Sequence, residues 1–278
     1  MKTLFIALLT SIGLPSFAQY YYKDIIGTKE TAMMINAYRN NKVTRVVLNS
    51  YDADGTKSDD FFVEQVYAPA TQTLRTITRS GVTDESILIS IINAKGQVIK
   101  TVDSSEALIS TTFYNYNDDD LLTSVVISSS DTNRAVMQQE EHRWEYNNGK
   151  INRMLRIKNG TDTTYVQFKL DEKGNIVEEQ SLHKGVKSDP VYYYYDAQNR
   201  LTDIVRYNNK VRRLLPEYMF EYSPANQVIQ KITVPANSSD YLIWRYQYDA
   251  RGLKVKEAVY NKQKQLTGKI EYQYLTAS

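Results

Sequence analysis

From about residue 110 onward, a strand ending in two alternate aromatics runs into a polar turn, and the unit returns about every 26 residues. Trp144-Glu145-Tyr146-Asn147, Phe220-Glu221-Tyr222-Ser223 and Tyr246-Gln247-Tyr248-Asp249 are instances. The anchors Tyr116, Tyr146, Leu170, Tyr195, Tyr222, Tyr248 and Tyr274 are spaced 30, 24, 25, 27, 26 and 26 apart. A fixed period of this size is the mark of a repeat architecture. It points away from a compact catalytic domain and names no ligand.

Within each unit the period is 2, as in a strand. Counting back from the anchors by twos gives Tyr114, Trp144, Val166 and Phe168, Val191 and Tyr193, Tyr218 and Phe220, Trp244 and Tyr246, and Ile270 and Tyr272 on one face. Asn115, Arg143, Glu145, Lys169, Glu221, Arg245, Gln247, Glu271 and Gln273 fall on the other. This is the alternation of antiparallel sheet with one face in water. Tyr is abundant, at 23 against 7 Phe and 2 Trp. It packs on a pleated face and keeps its hydroxyl at a wet edge.

A polar turn follows each anchor, as in Asp171-Glu172-Lys173-Gly174-Asn175 and Asp196-Ala197-Gln198-Asn199-Arg200. Asp and Asn bond their own backbone, and Gly or Asn tolerates positive φ. Upstream, residues 43–51 and 60–67 read as a first hairpin around Asp52-Ala53-Asp54-Gly55. Chained head to tail, the hairpins predict an all-β antiparallel meander of about nine hairpins, curled or rolled so that its aromatic face turns inward. Residues 28–39 carry Thr31, Ile35 and Tyr38 on one helical face, with Thr28 as a cap, and predict one short helix against an end of the sheet.

Residues 1–18 have the form of a secretory signal peptide. Lys2 supplies the charge, Leu4 to Leu14 an apolar stretch too short to span a bilayer, and Ser16-Phe17-Ala18 the small residues of a cleavage site. The predicted organisation is therefore a signal peptide at 1–18 and a single repeat β-domain at 19–278. Within the latter, 19–42 hold the helix and 43–275 the hairpins. No transmembrane helix is expected after cleavage. The chain has no Cys, which excludes disulfides, cysteine-ligated zinc and thiol catalysis. The 34 basic residues nearly balance 32 acidic ones without a basic tract, so nucleic acid is a poor partner.

The string Tyr195-Asp196-Ala197-Gln198-Asn199-Arg200-Leu201, and the shorter Tyr248-Asp249-Ala250-Arg251-Gly252-Leu253, resemble the YD repeat of the rearrangement-hotspot (RHS) family. The resemblance covers residues 110–275 and implies a strand–turn–strand unit. Large members of that family wind such units into a hollow shell around a toxic cargo. This chain has too few repeats to enclose a protein domain, and Asp189-Pro190 is followed by Val191-Tyr192 where the family's self-cleaving end has Gly. The whole chain also resembles small exported proteins of Bacteroidetes-type bacteria that open with a Tyr-rich segment such as Tyr20-Tyr21-Tyr22-Lys23-Asp24. That implies a compartment: periplasm, outer-membrane association or secretion.

Chemistry is sparse. His142 and His183 stand in no metal or triad spacing, and read as structural. Asp118-Asp119-Asp120, Glu140-Glu141 and the group Asp52, Asp54, Asp59 and Asp60 lack the order of a calcium loop and read as solvated turns. No nucleophile motif or phosphate loop occurs, so no catalytic residue, cofactor or metal is assigned. The one candidate ligand surface is an aromatic platform of Trp144, Tyr146, Trp244, Tyr246 and Tyr248, which could stack on a sugar. Its bland counterpart is a packed core.

The expected role is an exported, non-catalytic scaffold or binding module of the cell envelope, with a protein or glycan partner. Two alternatives stand beside it. One is an outer-membrane β-barrel, opposed by strands that read as about six to eight residues where spanning needs about 9–11. The other is a hydrolase with a carbohydrate substrate, which needs two facing carboxylates.

Overall fold

The structure is a computed structural model that describes residues 20–277, apart from 82–84, 106–107, 132–136, 210, 236–237 and 239. The predicted signal peptide lies outside the described residues, as does the side chain of Asp60.

One helix, α1 (Lys23–Asn40), precedes the strands. The first nine are β1 (Val43–Asp52), β2 (Lys57–Ala68), β3 (Thr73–Ser80), β4 (Ser86–Ile92), β5 (Val98–Ser104), β6 (Leu108–Tyr116), β7 (Leu122–Asp131), β8 (Met137–Asn147) and β9 (Lys150–Lys158). Then come β10 (Asp162–Leu170), β11 (Ile176–His183), β12 (Val186–Lys187), β13 (Val191–Tyr195), β14 (Leu201–Asn208) and β15 (Arg213–Tyr222). The last are β16 (Val228–Thr233), β17 (Leu242–Tyr248), β18 (Lys254–Tyr260) and β19 (Leu266–Thr276). Each pairs antiparallel with its sequence neighbours, apart from β12 and β13, which do not pair with each other. β12 and β13 both face β11 and form one interrupted strand of the wall.

The sheet closes. β1 pairs with β19 from Val43↔Thr276 to Asp52↔Gly268, and also with β2. The predicted curled or rolled meander of about nine hairpins is therefore corrected: the wall is a closed antiparallel barrel of 18 strands, counting β12 and β13 together. Closure satisfies the backbone donors and acceptors that an open sheet leaves on its two edges. The repeat pattern cannot reveal this step, because the β1–β19 pairing joins residues more than 200 positions apart. Strand length is corrected in part: β2 runs 12 residues and β8 and β19 run 11, whereas β4, β5, β17 and β18 run seven and β16 six, so the length objection to a spanning barrel holds for some strands and not for others.

The aromatic face is the interior. Tyr193, Trp144, Ile270 and Trp244 are buried, whereas Arg143, Lys169, Arg245 and Gln247 are exposed. Helix α1 lies inside, along the turn-bearing end. Its Ile35 and Tyr38 pack with Val46, Leu48 and Val63. At its other end Tyr21 and Ile25 pack with Leu122, Val125, Trp144 and Met154. The segment is longer than the predicted 28–39, and Thr28 does not cap it. Thr28 sits within the helix and donates back to the carbonyls of Asp24 and Ile25, a local bond open to Ser and Thr inside helices. An inward apolar wall needs apolar surface to meet, and the helix supplies it.

The repeated turn has one geometry. The Asp196 N–H donates to the Arg200 carbonyl and the Asn199 N–H to the Asp196 carbonyl, both at 3.0 Å. The Asp196 carboxylate accepts from the N–H of Gln198 and Arg200 at 3.0 and 2.9 Å. Asp249 repeats this frame with Arg251 and Leu253. The fourth turn residue has φ of 67° at Asn199, 88° at Gly174 and 79° at Gly252. That left-handed conformation selects Gly, Asn or Asp.

Candidate functional site

Most anchor tyrosines do one job. All but Tyr274 stand at a β-bulge just before a turn, as at Tyr194/Tyr195, Glu221/Tyr222 and Gln247/Tyr248. A bulge bends the strand and re-aims the side chain. The hydroxyl then donates to the first carbonyl region of the preceding return strand. Tyr116 reaches Val98 at 3.0 Å, Tyr146 reaches Leu122 at 2.8 Å and Tyr195 reaches Ile176 at 2.9 Å. Tyr222 reaches Leu201 at 2.7 Å, Tyr248 reaches Val228 at 3.0 Å and Tyr274 reaches Lys254 at 2.6 Å. The result is a ladder of hydroxyl rungs that stitches successive hairpins at the turn-bearing end.

From Tyr116 onward one rung is missing; upstream, Ile92 stands at the same bulge before a turn of the same frame and also lacks a hydroxyl. β10 ends in Leu170, which has no hydroxyl to offer Ile151 at the start of β9. The turn before β9 is also shorter: Asn147 pairs directly with Lys150 across Asn148-Gly149, with φ of 49° and 74°. Beside this gap lies a half-open cavity of about 400 Å³ between α1 and the wall. Its throat is lined by Tyr22, Ile25, Tyr116, Leu122, Tyr146, Ile151 and Ile176, and its mouth by Lys29, Asp120, Lys150 and Lys173. Asp120 is engaged by Lys95.

Two buried ionic groups fasten α1 to the wall. His142, only 2% exposed, bonds Asp24 of the helix at 2.6 Å through Nδ1 and Glu140 at 2.8 Å through Nε2. Arg156 donates to the second oxygen of Glu140 at 2.6 Å. Burial disfavours charge on the imidazole, but Asp24 and then Glu140 outweigh it and hold His142 up at about 9. Burial likewise works to raise Glu140, but the bonds from His142 and Arg156 hold it down at about 2. The second group is Glu179, whose carboxylate accepts from the Tyr21 N–H at 2.8 Å, the Tyr22 N–H at 3.0 Å and the Tyr193 hydroxyl at 2.8 Å. Burial pushes its carboxyl above the usual range against these donors.

The residues of the aromatic platform do not share one open surface. Trp144 is buried and stacked on Phe168 at 5.5 Å, while Trp244 is buried across the lumen and donates to Thr233 Oγ1 at 3.3 Å. Tyr146 and Tyr248 carry rungs, and Tyr146 alone of the five lines the cavity. Tyr246 lies under the Lys254 ammonium at 4.6 Å. His183 bonds Asp162 at 2.8 Å at a half-exposed site. Sequence reasoning read His142 as structural and missed its bridge to Asp24, because a contact across 118 positions leaves no local signal. The departure of Leu170 from the tyrosine anchors was visible, but its meaning needed the rungs. Among the described residues no group of three or more His, Cys, Asp or Glu could hold a metal ion.

No family model and no curated protein matches the chain. Among solved structures, it is similar to a porin-like protein from Bacteroides uniformis, at 14% identity and a TM-score of 0.38, over 84% of this chain and 97% of that one. A porin-like protein from Bacteroides vulgatus aligns at 12% identity and a TM-score of 0.27, over 84% and 99%. The Photorhabdus luminescens Tc holotoxin pore aligns at 11% identity and a TM-score of 0.31, over 82% of this chain and 15% of that one. Likeness at this level carries no argument for function, and the YD repeat stays a resemblance of sequence.

The expected role was a scaffold or binding repeat built from a curled or rolled sheet. The closed sheet overturns it: both edges are paired with each other and the aromatic face is enclosed. Closure is what the outer-membrane alternative requires.

Proposed function

We propose that the chain works as a closed β-barrel of the cell envelope with its own N-terminal helix held inside, and that its wall stands in water. The observation that carries this is the polarity of the outer face. Arg143, Arg153 and Arg245 are exposed at mid-strand and point outward, with Glu145 and Glu141 beside the first two. An Arg facing lipid at the bilayer midplane costs about 2–4 kcal/mol. Three cost about 6–12 kcal/mol, comparable with the whole stability of a domain at about 5–15 kcal/mol. Surface ion pairs of this kind are tolerated in water at little gain or loss.

The second reading is a barrel that spans the outer membrane. It is favoured by closure, by the neighbour-to-neighbour strand order and by strands of up to 12 residues. That no helix of the described residues is long and apolar enough to cross a membrane bears only on helices. Export through the leader at 1–18 belongs to both readings, and neither includes catalysis.

Alkaline carbonate or urea washing of native envelopes separates them. Release into the supernatant is the outcome expected of a water-facing wall. Retention in the pellet, with gel migration that changes on heating, would establish the spanning barrel instead.

A further inference from the structure

We infer that the cavity beside the missing rung is a binding site for a small amphipathic anion: an apolar body with a carboxylate-type head. The inference goes beyond the barrel reading and holds whether the wall meets water or lipid.

The first ground is the exception in the ladder. Six anchors end in a tyrosine that spans to the preceding return strand; Leu170 does not, and neither does Ile92 upstream, which is buried in the core cluster with Ile35 and Tyr38. Leu170 packs in the cluster that contains Ile176, with Ile151 beside it. Ile151 and Ile176 both line the cavity, so the lost rung and the open space share one wall. A tyrosine here would put a ring and a hydroxyl where the repeat elsewhere has them.

The second ground is the chemistry of the throat. Tyr116 and Tyr146 bring rings to the cavity with their hydroxyls already bonded to backbone carbonyls. What they offer a guest is therefore apolar surface, next to Ile25, Leu122 and the two isoleucines. A cavity of about 400 Å³ lies within the range of small-molecule sites.

The third ground is the mouth. Lys29 of α1, Lys150 at the start of β9 and Lys173 of the β10–β11 turn all line it, and none of them forms an ion pair among the described residues. The one carboxylate lining the mouth, Asp120, is already paired with Lys95. Asp118 and Asp119 share that turn but do not line the cavity. Three exposed lysines beside an apolar lining favour a guest charged at one end only, and Lys heads bind an anion as point charges without demanding one geometry.

The test is calorimetric titration of the purified protein with dodecanoate and with neutral dodecanol. Dodecanoate should bind saturably, one per chain, and more tightly than dodecanol. Replacing the three lysines (Lys29→Gln, Lys150→Gln, Lys173→Gln) should weaken dodecanoate about ten-fold, as expected for three partly exposed charges, and leave dodecanol unchanged. Leu170→Tyr should weaken both ligands while raising the melting temperature. Should Leu170→Tyr misfold, Ala32→Phe narrows the same cavity from the helix side and should weaken both ligands. The inference is overturned by an absence of saturable binding. It is equally overturned by a triple variant that loses nothing for dodecanoate, or by cavity-filling variants that bind as the parent does.

Discussion

The Tyr222 hydroxyl donates to the Leu201 carbonyl at 2.7 Å, across adjacent hairpins of the wall. This bond explains why the repeat keeps an aromatic with a hydroxyl at that position. A phenylalanine would fill the same space and leave the carbonyl without its rung. The aspartate or asparagine that often follows has the second task of closing the turn.

Tyr222→Phe and Tyr248→Phe should each destabilise the protein by about 0.5–1.5 kcal/mol, the net worth of one hydrogen bond. Urea denaturation measures it. Leu170→Tyr should change stability in the opposite direction, since it restores the pattern. Equal stability of all three variants and the parent would show that the rungs are incidental.

Stability should depend on pH through His142. Its folded value of about 9 lies above the ordinary 6.5. A group raised in the folded state contributes fully below its unfolded value, so this contribution is whole below about 6.5 and fades as pH rises through 9. The displacement corresponds to about 3 kcal/mol. Glu140, held at about 2, acts in the other direction: its contribution is whole above about 4.5 and fades as pH falls through 2. Denaturation midpoints of the parent should therefore fall between pH 6.5 and 9. In His142→Gln that slope should vanish, with a loss near neutral pH of about 3–5 kcal/mol from leaving Asp24 buried without its cation, while Glu140 keeps Arg156.

Glu179→Ala should loosen the helix more than the wall. It removes the acceptor for the N–H of Tyr21 and Tyr22 and for the Tyr193 hydroxyl. Buried donors left without a partner cost about 1–3 kcal/mol each. Hydrogen exchange should show faster exchange across residues 21–30 than in β17 and β18. Uniform acceleration across the barrel would contradict a helix held chiefly by this carboxylate.

Gly252→Ala and Asn199→Ala should each cost about 1 kcal/mol or more, because both residues hold the left-handed conformation that Ala adopts poorly. Thermal melting checks this. Arg251→Ala, in the same turn and exposed, should stay within about 0.5 kcal/mol.

Much of the wall was legible in the chain. Alternation placed Trp144, Tyr193 and Ile270 on one face and Arg143, Lys169 and Gln247 on the other, because each strand reports its two environments every second residue. The turns were legible because Asp196 and Asn199 act on their own backbone within five residues. Closure was not, since it depends on β1 meeting β19, and no local pattern encodes that pairing. The helix was read too short because Thr28 resembles a cap in sequence, although its hydroxyl bonds back into the turn before it. The cavity was hidden for a related reason: Leu170 looked like one more apolar anchor until the hydroxyls of its six counterparts were seen to have acceptors.

Closure is the claim on which the rest depends, and the absence of Cys allows it to be read directly. Asn49 of β1 and Glu271 of β19 face each other across the seam. Oxidising the double variant Asn49→Cys, Glu271→Cys should give an intramolecular disulfide in nearly every folded molecule, detected by intact mass and by migration without reductant. The same oxidation of Asn49→Cys paired with Gln247→Cys of β17 should give none. Free thiols in the Asn49–Glu271 variant, or disulfides formed only between chains, would mean that the two edges stand apart and the barrel is open.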